Sequence, residues 1–199
     1  MNNRIMPTIL VAMLVAVPLL WAVAADEDSA KVKSAIRHRC ILECVWLEDR
    51  CNSSKAPGCK DSIKACTAVC MDDETLKAAM AEKPPKTWGT TIKEAIEVCL
   101  PSGEQYFLRD LLCAGSKAPG YERSGSVGPR NPMPADAGFD ANMLDPTYRL
   151  KKGQVDTHII DKYEVRCEKK THILYFDMYH CGTPKPWAAP EGFTRPPRG

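Results

Sequence analysis

The side chains here that could do chemistry are ten cysteines and four histidines in a chain of 199 residues. The histidines are His38, His158, His172 and His180. His172 and His180 stand eight residues apart in THILYFDMYHC. On a strand at ~3.3 Å per residue that is about 26 Å, too far to share one metal ion. His158 and His180 fall at the same end of a hairpin formed by HIIDKYEVRC and THILYFDMYHC, so they can approach across it. On the second strand Asp177 takes the face opposite the histidines. Two imidazoles do not make a zinc site without a third ligand. There is no Gly-x-Ser-x-Gly elbow and no His-Glu-x-x-His helix. Gly125-Ser126-Val127-Gly128 lacks the Gly-Lys-Ser/Thr ending of a phosphate loop. The sequence therefore predicts no catalytic residue, no metal and no cofactor. An enzyme using the His158/His180 end is the alternative.

What the cysteines do depends on the compartment. Arg4 is the only charged side chain before Asp26, and the run ILVAMLVAVPLLWAVAA lies between them. Ala22-Val23-Ala24 then presents small residues where a signal peptidase reads, so residues 1–25 read as a signal peptide. A membrane anchor competes, because twenty-one uncharged residues can span ~30 Å of hydrocarbon. Pro18 and the small-residue ending favour cleavage. In either case residue 26 onward lies outside the cytoplasm, secreted or periplasmic, with a membrane involved only if the segment stays. There an even cysteine count reads as disulfides, and no C-x-x-C pair speaks for zinc.

Six cysteines crowd into CILECVWLEDRCNSSKAPGCKDSIKACTAVC, residues 40–70, with spacings 4, 7, 8, 7, 4 that read the same in both directions. Positions four and seven apart share a helix face. Cys40, Cys44 and Cys51 therefore line one helix, with Val32, Ile36 and Leu47 nearby. Cys59, Cys66 and Cys70 line a second, and NSSKAPG breaks between them. In an antiparallel αα-hairpin, facing residues have numbers of constant sum. Cys40 with Cys70, Cys44 with Cys66 and Cys51 with Cys59 all give 110. Of fifteen possible connectivities only this ladder fits the register throughout.

The paired C-x3-C motifs of residues 40–70 resemble the twin C-x3-C helical hairpins. These include small chaperones of the mitochondrial intermembrane space and plant hairpin peptides, some of them protease inhibitors. The resemblance implies the stapled hairpin, and this chain adds the inner pair Cys51 and Cys59. A protease-inhibitor or toxin-like hairpin is thus a third functional reading, with Arg50 and Lys55 at the loop. Leu42 and Trp46, roughly opposite the cysteine stripe, either dock the hairpin on the rest of the chain or anchor a partner. Asn52-Ser53-Ser54 fits an N-glycosylation acceptor.

The elements that must position these groups follow along the chain. DDETLKAAMAEK reads as a helical extension ended by Pro84-Pro85. Thr91-x-x-Glu94 reads as a capping box opening a helix through IKEAIEVCL, stopped by Pro101-Ser102-Gly103. QYFLRDLLC reads as a strand ending at Cys113, or else a short helix. Residues 114–150 hold many glycines and prolines without a period and read as a long loop. The last two strands form a β-hairpin. Cys167 beside its turn and Cys181 at its far end are then too far apart to bond. Both must reach Cys99 and Cys113, preferably as Cys99–Cys181 and Cys113–Cys167. The YEVRC and YFDMYHC stretches resemble the ending of secreted bacterial proteins of unassigned function. The proline-rich tail after Gly182 reads as extended, strapped down by Trp187 and Phe193.

Together these features predict an α+β chain. A disulfide-clamped hairpin with its extension (26–83) precedes a small α+β region (84–199) with an antiparallel sheet and a long loop. Net charge is +2 with both signs interspersed, which argues against nucleic acid as a partner. The expected role is non-catalytic: binding an unknown protein or envelope partner, or supporting the envelope.

Overall fold

The computed structural model describes residues 16–54, 59–133, 141–146, 148, 150–168 and 170–197. Helix α1 (Ala16–Ser54) and helix α2 (Cys59–Met71) are stapled by Cys40–Cys70 and Cys44–Cys66, with Cα atoms 5.5 and 5.8 Å apart. Both rungs obey the constant-sum register. Cys51 is also disulfide-bonded; the side chain of Cys59, its expected partner, lies outside the described residues, as do Lys55 and most of the break between the helices. Asp72 caps helix α3 (Asp73–Ala81), its carboxylate accepting from Thr75 N at 2.8 Å. Helix α3 folds back on α1, where Leu76 and Ala79 close over Ile36.

The next two passages exchange the structures expected of them. Thr91 Oγ1 does accept from Glu94 N at 3.2 Å, but the bond closes a turn and no helix follows. The chain instead extends as β1 (Ile96–Glu97) and is buried at Ala95, Ile96, Val98 and Cys99. Helix α4 (Leu100–Asp110) then begins where a stop was expected. Pro101 occupies its first turn, where a missing N–H costs nothing. Within it Glu104, Phe107 and Leu108, followed by Leu111, recur at helical spacing and are all buried. The short-helix alternative for this stretch is therefore the right one. Gly103 is needed for close approach: a Cβ there would lie 3.1 Å from Val98 Cβ, and Arg39 of α1 donates to its carbonyl at 2.6 Å.

Strands β4 (Ile159–Cys167) and β5 (Lys170–Asp177) pair antiparallel as expected, turning at Glu168. The long loop is only partly a loop. Gly120–Pro129 forms strand β3, antiparallel to β4, with register shifts at Arg123/Gly125 and Ser126/Pro129. Gly125 and Gly128 take positive φ at these shifts, a conformation open to glycine. β1 joins the other edge parallel to β5, so the sheet is mixed, in order β1-β5-β4-β3, and not purely antiparallel. The tail returns as β6 (Phe193–Thr194) beside β2 (Leu112–Cys113). Trp187 donates to Arg195 O at 2.9 Å and Phe193 enters the core, which ties the tail down.

Phe107, Leu108 and Leu111 of the α4 segment pack on Tyr163, Val165, Leu174 and Phe176 of the sheet. A second, sulfur-rich cluster joins the hairpin to the sheet: Cys40, Cys44, Cys66 and Cys70 meet Cys99, Cys181 and Leu100. The bridges Cys99–Cys181 and Cys113–Cys167 are the preferred pairing. No free cysteine occurs among the described residues. Such bridging belongs to an oxidising, extracytoplasmic location. None of the described helices is long and apolar enough to cross a membrane.

Candidate metal centre

The edge of the sheet that carries β1 gathers the groups in question. Val98 N donates to Asp177 O at 2.8 Å and His180 N to Val98 O at 3.1 Å, so residues 96–100 run alongside 176–180. That pairing sets Glu97 beside Asp177 and His180. Strand β5 ends at Asp177, and its side chain accepts from Tyr179 N at 3.1 Å. This local Asx turn breaks the strict alternation of sides. It brings His180 round to the Asp177 side, where strand alternation had placed the two on opposite faces. Asp156 does the same upstream, accepting from His158 N at 3.0 Å just before β4.

Four donor groups converge as a result: Asp156, His158, Asp177 and His180, whose ligand atoms all lie within 4.8 Å of one another. His158 Nδ1 is 3.3 Å from His180 Nε2 and 3.3 Å from Asp177 Oδ2. His180 Nε2 is 3.1 Å from the same Asp177 oxygen. Asp156 Oδ1 lies 3.1 Å from His158 Nδ1, and its Oδ2 lies 3.8 Å from His180 Nε2. Ligands on a tetrahedral zinc at bond lengths of ~2.0–2.1 Å are separated by about 3.3 Å. Three of these atoms form a triangle of that size, and the fourth group stands beside it.

The surroundings fit. His180 Nδ1 faces Glu97 Oε2 at 3.4 Å, a carboxylate positioned to orient the imidazole so that Nε2 points inward. Arg130 lies across the carboxylates, 2.8 Å from Glu97, 3.2 Å from Asp156 and 3.3 Å from Asp177. Three carboxylates against one guanidinium leave two formal negative charges when both imidazoles are neutral. Burial opposes a charge on His158, but Asp177 and Asp156 outweigh it and hold its pKa above the ordinary value. Burial likewise opposes ionised Asp177, yet hydrogen bonds from His158 and His180, helped by Arg130, hold it well below the usual carboxylate range. His158 and Asp177 are sealed from solvent, while His180 and Asp156 keep 16% and 13% of their side chains exposed. The centre thus has an entrance on one side.

A second buried polar group lies close by. Glu104 is fully buried and accepts from Tyr163 OH at 2.9 Å, while Asp161 is held by Arg123 at 2.7 and 2.8 Å and by Ser126 at 2.8 Å. Burial first, then the Asp161 charge, pushes Glu104 up to about 8. Tyr179 stacks on His158 with ring centroids 5.0 Å apart, and burial, then the charges of Asp161 and Asp177, raise its pKa.

The other singled-out residues lie elsewhere. His38 is exposed, lining a depression of about 360 Å³ with Tyr106 and Trp187. His172 packs tilted against Phe193, ring centroids 4.7 Å apart, and fills the space where a side chain on Gly192 would stand. Trp46 packs against Tyr106 of α4, ring centroids 5.9 Å apart, and both lie near the Arg39 guanidinium; Leu42 is half-buried. His158 and His180 do meet across the hairpin. The sequence reading passed over Asp156 and set Asp177 on the face away from the histidines, although each sits two or three residues before its histidine, in DTH and DMYH. No family model matches this chain, and comparison with curated proteins and with solved structures found no match.

Proposed function

We propose that this is an exported, disulfide-braced binding protein, secreted or periplasmic, whose ligand is a divalent transition-metal ion of the zinc type. Asp156, His158, Asp177 and His180 supply the ligands, and Glu97 orients His180. The observation that carries this reading is the triangle of His158 Nδ1, His180 Nε2 and Asp177 Oδ2, with sides of 3.1–3.3 Å, inside a cluster two charges short of neutrality. Imidazole and carboxylate together suit zinc and its neighbours better than calcium or magnesium, which take oxygen alone. Four protein ligands make a closed site, whereas catalytic zinc keeps one position open. That supports a holding role over hydrolysis. The stapled hairpin then serves as scaffold, and residues 1–25 as the leader that brings the chain to an oxidising compartment.

One observation favours a second reading: Arg130 already touches three carboxylates, so the cluster can be an ion-pair network closed by protons and a guanidinium alone. Titration calorimetry of the oxidised, metal-stripped chain with zinc separates the two. One equivalent bound, lost in H158A and H180A and accompanied by a rise in Tm, supports the metal centre. No heat and no Tm shift with excess zinc would leave the ion-pair network as the answer.

A further inference from the structure

A second feature lies where the hairpin meets the sheet and the tail. A cavity of about 20 Å³ is lined there by Arg39 and Glu43 of α1, Lys185 and Arg195 of the tail, and the apolar faces of Phe107 and Trp187. By that measure it has room for one occupant the size of a water molecule or slightly larger.

Its donors outnumber its acceptors. Arg195 is 5% exposed at the side chain and Arg39 10%. Arg39 spends one nitrogen on Gly103 O at 2.6 Å, but its Nη1 is buried without a partner among the described residues. Its Nε lies 3.6 Å from Glu43, too long for a hydrogen bond. Arg195 sits over Trp187 at 3.9 Å and Phe107 at 4.3 Å, and reaches Asp110 only at 3.4 Å with Nη2. Its Nε is also buried and unpartnered. Buried N–H groups left without an acceptor are costly, more so when charged, so three on two neighbouring guanidiniums call for an acceptor.

The charge count points the same way. Arg39, Lys185 and Arg195 face Glu43 and Glu97 around the cavity, an excess of one positive charge. The Glu97 carboxylate is already engaged by Arg130 and His180; with Asp110, the partner of Arg195, counted in its place, Arg39, Lys185 and Arg195 still exceed the carboxylates by one charge. Glu43 Oε2 is already engaged by Lys185 at 3.0 Å. A water molecule would accept from two of these donors but bring two more of its own, whereas a halide only accepts. We infer that the cavity is a site for a small monatomic anion of the chloride class, held between the Arg39 and Arg195 guanidiniums. The anion would brace the tail against the hairpin. Burial, and then the Arg39 charge, push Arg195 down to about 9, the strain that such an anion would relieve.

The test is crystallographic and thermal. Crystals of the oxidised chain grown or soaked in sodium bromide should show an anomalous peak between Arg39 and Arg195. Tm should rise with chloride or bromide more than with gluconate at equal ionic strength. R39Q should raise the half-saturating halide concentration at least tenfold. A map with a water there and no anomalous signal, or identical Tm curves in chloride and gluconate, would overturn the inference. If R39Q fails to fold, the bromide map and the wild-type salt series decide alone. Zinc binding at the His158/His180 centre is read separately and is untouched by either outcome.

Discussion

Replacing Glu104 with Gln should make the protein progressively more stable relative to wild type as pH rises from 5 to 8. Glu104 is sealed inside the fold beside Asp161 and accepts a hydrogen bond from the Tyr163 hydroxyl. Its pKa rises from 4.5 in the unfolded chain to about 8 in the native one. A carboxyl group raised in this way binds its proton more tightly in the folded state. It therefore stabilises most below pH 4.5, and that contribution drains away as pH climbs towards 8. Between pH 6 and pH 8 the unfolded chain is already ionised and the native chain is not. One pKa unit is worth ~1.4 kcal/mol, so the loss across that window is about 2 kcal/mol.

Glutamine copies the shape and one donor of the neutral acid but cannot ionise. Urea denaturation of wild type and E104Q at pH 5, 6, 7 and 8 isolates the effect, since all other groups titrate in both proteins. The wild-type midpoint should fall relative to the variant as pH rises, with the gap opening by about 2 kcal/mol between pH 6 and pH 8. The Asp161 charge helps to hold Glu104 neutral, so D161N should shrink the same gap. Parallel stability curves for wild type and E104Q would refute the claim that Glu104 is buried as a neutral acid.

Two further outcomes are expected. Digestion between Cys70 and Cys99 without reduction should give two separable sets of linked peptides, one holding Cys40 to Cys70 and the other Cys99 to Cys181; a peptide joining the sets contradicts the register. Gly103→Ala should destabilise despite helix propensity, because the gain of ~0.5–1 kcal/mol from alanine is outweighed by overpacking against Val98 at 1–3 kcal/mol; a higher urea midpoint for G103A would show that Val98 yields.

The parts of this fold written in short-range periodicity could be read directly. The cysteine palindrome specified the hairpin because 3.6-residue periodicity and antiparallel register leave one consistent ladder. The alternation of IIDKYEVRC and THILYFD specified β4 and β5 because one face is buried. Strand β3 could not be read this way, since GYERSGSVGP lies on a solvated edge with two bulges and carries no apolar alternation. The exchange of helix and strand around Cys99 has a different cause. Ile92, Ala95, Ile96 and Cys99 fit a helix by spacing, but AIEVCL is an apolar run buried between β5 and the hairpin, and tertiary burial overrode spacing. Pro101 looked like a terminator because proline marks both ends of helices. The metal centre was half legible. The meeting of His158 and His180 follows from the hairpin register, whereas Asp177 joins them only because its Asx turn rotates His180 off the strand.

The disulfide next to the centre offers a way to ask whether the bridges serve function as well as stability. Cys181 directly follows His180, and Cys99 lies two residues beyond Glu97, so the Cys99–Cys181 bridge clamps the two segments that carry Glu97, Asp177 and His180. Cys113–Cys167 sits at the other end of the hairpin, beside the turn. Removing either bridge should cost comparable stability, on the order of 2–5 kcal/mol. Only the first should loosen the ligands, because only it fixes their separation before the ion arrives. Loss of such supporting structure around a metal typically costs ~10–100-fold in affinity. The paired variant C99S/C181S should therefore bind zinc at least tenfold more weakly, measured by calorimetry well below its own melting temperature. C113S/C167S, compared at the same distance below its own Tm, should bind as wild type does. Equal losses in the two variants would mean that affinity tracks global stability, and no loss in C99S/C181S would mean that β1 and β5 hold the centre without help from sulfur.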